Sequence, residues 1–305
     1  MRRHAFALVL IVLALGCLNQ QGGGADTFTL SPEGLRVVSF ELDKNPMRAG
    51  EEIGLFLQYQ NVGGSDAANI GVASKRAGRL TVTKVSGGET DLFAPDERAR
   101  VPGGTSQTYF SVKAPDVEFP EAQSVDVELA YDYSTLIMRE VPVFTIDRLN
   151  ELRESTYEAK KGTTQKTMGP ISLDLQIEDP IQVDQDCSSQ TAFEIILNNV
   201  GGGSVKGAAG LNVVDFVEVE LQSDWHNNTF NCSGLKKGTI WAPVTVSSIS
   251  LWKGQNARVS CILDINMTYD PTIKSCNYTE GFPVIVAKAN YRYAINKNIN
   301  INVEP

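Results

Sequence analysis

Side chains able to do covalent chemistry at neutral pH are scarce in this chain. Histidine occurs twice, at His4 and His226. A Ser-His-Asp triad or a multi-histidine metal site needs more parts than that. His226, in an Asn-rich stretch, reads as a solvated loop residue. The sequence contains no Gly-x-Ser-x-Gly elbow and no Gly-Lys-Ser/Thr phosphate loop. A carboxylate pair for glycoside hydrolysis is defined by spacing in the fold, so no pair stands out from sequence. The reading is non-enzymatic, with no catalytic residue and no cofactor. Calcium is the one chemical alternative: Asp184 and Asp186 flank Gln185 near one strand end and Asp132 lies near another. Oxygen ligands could converge there, although solvated acids are the simpler reading.

Sulfur and amide chemistry is richer. Cys187, Cys232, Cys261 and Cys276 all lie in the second half, and none has CxxC spacing. Zinc and thioredoxin-like sites are therefore not indicated, and two disulfides in an exported protein are. Four glycosylation sequons crowd the same region, at Asn227, Asn231, Asn266 and Asn277. Trp225, Trp241 and Trp252 also belong to this half. Packing within a sheet or under a loop is the expected role of each. Trp225, among polar residues, is the candidate for an exposed binding contact.

The first residues indicate where this chemistry is placed. Arg2 and Arg3 precede an apolar run from Ala5 to Leu15, too short to span a bilayer. Residues 1–16 have the layout of a secretory signal. Ala14-Leu15-Gly16-Cys17 resembles a lipobox, which makes Cys17 the expected lipid site; an ordinary cleaved signal or a short retained anchor are the alternatives. Residues 17–30, rich in Gln and Gly, then form a flexible tether. Stable attachment needs a two-chain lipid. Loss of Arg2 and Arg3 moves the formal charge from −9 to −11. That acidity disfavours nucleic acid as a partner.

The elements that must position these groups are announced by a repeat. Residues 53–64 read IGLFLQYQNVGG and residues 191–202 read TAFEIILNNVGG. Apolar alternation that runs twice into the same glycine turn predicts two copies of one β-domain. In the first copy, strands are expected at 35–42 (Val38, Phe40 and Leu42 on one face), 52–60, 79–85, 106–114, across Val125 to Tyr133, and at 138–146 to close the domain. The second copy repeats the order: Leu173 to Ile177, 191–199, Phe216 to Leu221, 240–250, Val259 to Ile265, Ile285 to Tyr293, and Asn298 to Val303 to close. Short strands punctuated by Gly, Pro, Asn and Asp signal an immunoglobulin-like sandwich. The glycines at strand ends read as turn residues that need positive φ.

Two displacements separate the copies. The Asn-Val-Gly-Gly turns are offset by 138 residues, and Tyr131/Tyr133 are offset from Tyr291/Tyr293 by 160. The second copy thus holds 22 more residues between these landmarks, with three cysteines and all four sequons among them. Four cysteines allow three connectivities. Cys187 sits at the pole where strand 256–266 ends, and a neighbour running back past 266 brings Cys276 toward it. This favours Cys187–Cys276 with Cys232–Cys261.

The expected organisation is a sandwich over 31–147, a charged linker over 148–169 and a second sandwich over 170–305. In the first copy, Ala49-Gly50-Glu51-Glu52 precedes the strand that ends in Asn-Val-Gly, and Ala68-Asn69-Ile70-Gly71 follows it. This pattern resembles the CARDB family, cell-adhesion-related domains of bacteria and archaea. The second copy departs from it, with Cys187-Ser188-Ser189 in place of the Gly/Glu turn. The resemblance implies an immunoglobulin-like fold and no particular ligand; the whole looks like an archaeal surface lipoprotein. Two functions follow as expectations. One is an extracellular binding or adhesion module, held to the membrane by lipid, with an envelope protein or glycan as partner. The other is a structural accessory of an envelope assembly such as a surface layer, pilus or transport complex. The first copy reads as a spacer near the membrane, and the second copy's loops, 222–239 and 266–280, as the place for a specific function.

Overall fold

Alternating apolar and polar residues build nearly every element. The computed structural model describes residues 30–88, 90–155, 161–223, 228–232, 238–239, 243–272 and 275–305. Cys17, Trp225, His226, Asn227 and Trp241 lie outside the described residues.

The first copy supplies β1 (Leu35–Leu42), β2 (Met47–Arg48), β3 (Glu52–Asn61), β4 (Ala68–Arg76), β5 (Thr81–Gly87), β6 (Thr105–Lys113) and β7 (Glu121–Glu140). Next come β8 (Val143–Thr145), helix α1 (Ile146–Glu154) and β9 (Thr164–Lys166). The second copy begins with β10 (Ile171–Ile177), β11 (Ile181–Val183), β12 (Ser188–Asn199), β13 (Ser204–Gly207), β14 (Gly210–Leu211) and β15 (Val213–Gln222). It continues with β16 (Thr229–Cys232), β17 (Gly238–Thr239), β18 (Val244–Ser250) and β19 (Asn256–Asn266). The short β20 (Tyr269–Asp270), β21 (Ser275–Cys276) and β22 (Glu280–Gly281) lead to the long β23 (Val284–Glu304).

The fold is all-β and immunoglobulin-like, but the two sandwiches are not separate. β7 and β23 pair antiparallel without a break, from Glu121 opposite Val303 to Glu140 opposite Val284. This ribbon is about 65 Å long at the usual rise per residue. It forms the spine of one nine-stranded sheet, with β4 and β9 beside β7 and with β13, β15 and β2 beside β23. Along β7 every second residue from Val125 to Ile137 is buried, and along β23 the same holds from Ile285 to Tyr293 and again at Ile301 and Val303. Side chains alternate across a strand, so a single face of the shared sheet is covered. Two smaller sheets cover it side by side: β1-β3-β6-β5 over one half and β10-β12-β19-β16-β17 over the other.

This arrangement corrects the expected closing strands. Residues 138–146 do not close the first sandwich. They cross to the second, where β8 lies parallel to β11 with Val143 opposite Ile181. Arg139 there donates to the Leu175 carbonyl at 2.8 Å and pairs with Asp179 at 3.3 Å. In return, the end of β23 closes the first sandwich. Val303 lies parallel and opposite to Met47, and Ala49 N–H donates to the Glu304 carbonyl at 2.6 Å. The copies exchange their last strands, and each core is completed by the other copy.

The exchange is nearly symmetric. The 160-residue displacement carries Tyr131 onto Tyr291, Tyr133 onto Tyr293 and Asp132 onto Arg292. In the ribbon Tyr131 faces Tyr293, Tyr133 faces Tyr291 and Asp132 faces Arg292. An approximate two-fold axis therefore passes between Asp132 and Arg292, at the waist of the molecule.

Of the expected linker, the described residues include most of α1 and all of β9. Thr145 caps α1, accepting from Arg148 N–H at 3.4 Å. β9 then runs back along β7, and Met168 reaches the waist, where its carbonyl accepts from Gly64 N–H at 2.7 Å. One face assignment also changes. A bulge in β1 between Val37 and Ser39 leaves Val38 exposed, so Val37, Phe40 and Leu42 pack inward.

Candidate functional site

The repeated Asn-Val-Gly-Gly turns and the Tyr-x-Tyr pairs meet at the waist. Tyr131, Tyr133, Tyr291 and Tyr293 form a closed ring, with neighbouring ring centroids 5.9 to 6.4 Å apart. Each hydroxyl ties down a chain segment, and the ties repeat between copies. Tyr131 accepts from Leu35 N–H at 3.2 Å and Tyr291 accepts from Ile171 N–H at 3.1 Å, holding the first strand of each copy. Tyr133 accepts from Ser65 N–H at 3.0 Å and Tyr293 from Gly203 N–H at 2.7 Å, holding the two turns. Burial raises the pKa of all four phenols, that of Tyr133 to about 12. They stay protonated as structural donors and acceptors.

The motif asparagines work in parallel. Asn61 donates to the Ser65 and Leu92 carbonyls at 2.9 and 3.0 Å, and Asn199 to the Gly203 and Gly254 carbonyls at 3.0 Å each. The glycine expectation is corrected here. Of the four motif glycines only Gly202 has positive φ, at +74°. A Cβ on Gly63 would stand 2.1 Å from the Tyr133 hydroxyl, and one on Gly201 2.8 Å from that of Tyr293. These glycines make room for phenols.

Charges also bridge the copies. Arg292 meets Asp132 at 2.7 Å, and Asn69 donates to the same carboxylate at 2.8 Å. Glu128 of β7 pairs with Lys75 at 3.1 Å and with Lys206 of the second copy. A cavity of about 340 Å³ opens on the uncovered face at the waist, with Asp66, Asp132 and Asp215 on its walls. Each of these acids already accepts a hydrogen bond, from Ala94, Arg292 and Ala208 respectively. The three acids are thus engaged within the seam, while the buried Asn290 side-chain nitrogen on the same wall has no hydrogen-bond partner among the described residues.

The residues singled out from sequence spread over the molecule. Cys187 is bonded to Cys276 and Cys232 to Cys261, with Cα separations of 5.4 and 4.0 Å. Both bonds belong to the second sandwich, and Cys187–Cys276 marks its far pole. Asn266 and Asn277 are exposed at that pole, while Asn231 sits half-buried inside β16. Asp184 and Asp186 lie at the same pole and Asp132 at the waist, so the structure does not bring the calcium candidates together. Among the described residues no group of three or more His, Cys, Asp or Glu could hold a metal ion. Trp252 was expected to pack. It is instead 71% exposed at the waist, with the Lys253 ammonium 5.8 Å from its ring centroid.

Sequence reasoning missed a patch on the outer face of the first copy. Phe56 of β3 and Tyr109 of β6 face each other across the strands, ring centroids 4.9 Å apart, both half-buried. With Ser86, Gly87 and Gln107 they line a shallow cavity of about 340 Å³. Backbone features hold this space open. β5 bulges between Lys84 and Ser86, Gly87 has φ of +84°, and a Cβ on Gly54 would stand 2.7 Å from the Tyr109 ring. The counterpart pair in the second copy is Glu194 opposite Ser260, with Glu194 held by Arg258 at 2.8 Å. A sequence signal existed: Phe56 and Tyr109 occupy the polar phase of their strands.

No family model and no curated protein matches the chain, so the CARDB resemblance rests only on the residues that carry it. Solved structures similar to it include the secreted serine protease VesC from Vibrio cholerae, at 12% identity and a TM-score of 0.22 over 85% of this chain and 51% of that one. The chain thus spans about half the length of that protein. The Enterococcus faecalis MSCRAMM ACE shows 10% identity and a TM-score of 0.17 over 88% and 94% of the two chains. The Yersinia pseudotuberculosis adhesin InvE shows 10% identity and 0.19 over 92% and 61%. Likeness at these scores carries no argument about this chain, whose fold stands on its own strand pairing.

Proposed function

We propose that the chain is a non-enzymatic extracellular binding or adhesion module, held to the outer face of the cell membrane by lipid on Cys17. The observation that carries this reading is the Phe56–Tyr109 patch. The two copies share a core and a waist, so each is an internal control for the other. At matching positions the second copy has Glu194 and Ser260. An aromatic pair that the shared packing does not require, beside a cavity kept open by glycine and a bulge, has the composition of a recognition surface. The two disulfides fit an oxidising compartment.

A photo-crosslinking residue at position 109 tests the proposal in intact cells, with one at position 260 as control. Adducts with an envelope protein or glycan are expected from 109 and not from 260. Equal labelling from both, or none from either, overturns the reading. The continuous shared sheet favours a second reading, a structural accessory of an envelope assembly. That reading predicts one stoichiometric partner captured from the uncovered face of β7 and β23, for example from position 298.

A further inference from the structure

We infer that Asn266 and Asn277 carry N-linked glycans and that Asn231 does not. The three residues share the Asn-x-Ser/Thr pattern, and their surroundings separate them. Asn266 is the last residue of β19, exposed, with its side-chain carbonyl accepting from Thr268 N–H at 3.0 Å. Asn277 follows β21 and is also exposed, and its backbone N–H donates to the Thr268 carbonyl at 3.0 Å. Thr268 and Thr279, the hydroxyl residues of these two sequons, are exposed as well. An acceptor amide on a surface turn leaves room for a branched sugar.

Asn231 sits differently. It lies within β16, paired opposite Ile262 of β19, one residue before disulfide-bonded Cys232. Its side-chain oxygen is sealed from solvent without a hydrogen-bond partner. This sequon therefore starts inside a paired strand and not on an exposed turn.

The transfer needs a phosphate-activated, lipid-linked oligosaccharide as donor. The Asn Nδ2–sugar C1 bond forms, the C1–O bond to the carrier phosphate breaks, and the amide proton leaves with that phosphate. The two glycans would stand on adjacent turns beside the Cys187–Cys276 bond. They would cover Tyr278, which is 50% exposed next to Asn277, and would mask this pole as a contact surface.

Glycopeptide mapping of the full chain, purified from the membranes of its own host, tests the assignment. Of the three sequons compared, modified peptides are expected at Asn266 and Asn277 and not at Asn231. Asn266→Gln and Asn277→Gln should each remove one glycan mass, and Asn231→Gln none. Thr268→Ala should remove the Asn266 glycan while keeping the asparagine, and Thr268→Ser should restore it, which separates loss of the sequon from misfolding. An unmodified Asn266 or Asn277, or sugar on Asn231, overturns the inference.

Discussion

Asn61 of the first copy and Asn199 of the second hold matching turns, Tyr131 and Tyr291 hold matching first strands, and each copy receives its last strand from the other. Away from the waist the likeness stops. The second copy has an extra strand, β18, at the edge of the shared sheet, along with both disulfides and every sequon. The first copy has neither, and presents an aromatic pair on its outer sheet. Residues that join the copies are fixed by packing on both sides at once. Residues that face outward are free to diverge, so divergence marks where each copy acquired its own task.

The largest expected effect tests the exchange. A chain ending at residue 296 loses Ile301 and Val303, both fully buried in the first core. Each is worth about 1.5–3 kcal/mol in burial alone, and the strand pairing goes with them. Hydrogen exchange should show protection lost in β1, β3 and β6 and kept in β12 and β19. The opposite pattern would mean that each copy closes itself. Reduction should then act on the second copy alone. Its bonds close loops of 29 and 89 residues, worth about 2–4 kcal/mol each. A reductant that lowered the stability of the first copy equally would break the asymmetry.

Within the repeated turn, Gly63→Ala should cost about 1–3 kcal/mol by crowding the Tyr133 hydroxyl. Gly202→Ala, with open space around it but φ of +74°, should cost about 1 kcal/mol. Chemical denaturation of the two variants gives the order. The smallest effect concerns Glu128. Burial opposes its ionised form, but Lys206 and Lys75 outweigh it and lower its pKa below the usual 4.5. A carboxyl with a lowered folded pKa stabilises above its unfolded value, and that contribution is lost as pH falls through the folded one. Glu128→Gln should therefore melt slightly below the parent at neutral pH, by less than about 1 kcal/mol. The two should converge once pH falls below the lowered folded pKa of Glu128.

The repeat, the alternation and the 160-residue displacement were legible because they are local patterns or simple offsets. The exchange was not, because period-two alternation fixes which face of a strand is buried and leaves its partner open. A hint was present in retrospect. Between Tyr133 and Ile137 the sequence reads Ser-Thr-Leu, and after Tyr293 it reads Ala-Ile-Asn-Lys. Neither stretch has the Gly or Pro that a tight hairpin favours, and both strands run straight on. Gly63 and Gly201 were misread because φ and close approach favour the same residue. The Phe56–Tyr109 patch is marked in the sequence only by two aromatic residues in the polar phase of separate strands, and their cross-strand pairing is not a local pattern. Trp252 was misplaced because nothing local distinguishes a tryptophan under a loop from one on it.

Leu30, the first described residue, stands beside the waist, where Ser31 N–H donates to the Val62 carbonyl at 2.7 Å. The described chain therefore begins at the midpoint of the shared sheet and not at an end. The two arms extend from a common fulcrum, like the bar of a balance. A pull on the N-terminal segment enters between Tyr131 and the Asn61 turn, and is divided between the arms instead of passing through them in series. Neither arm has to unfold for the other to be reached, and both outer surfaces stand at similar reach from Leu30.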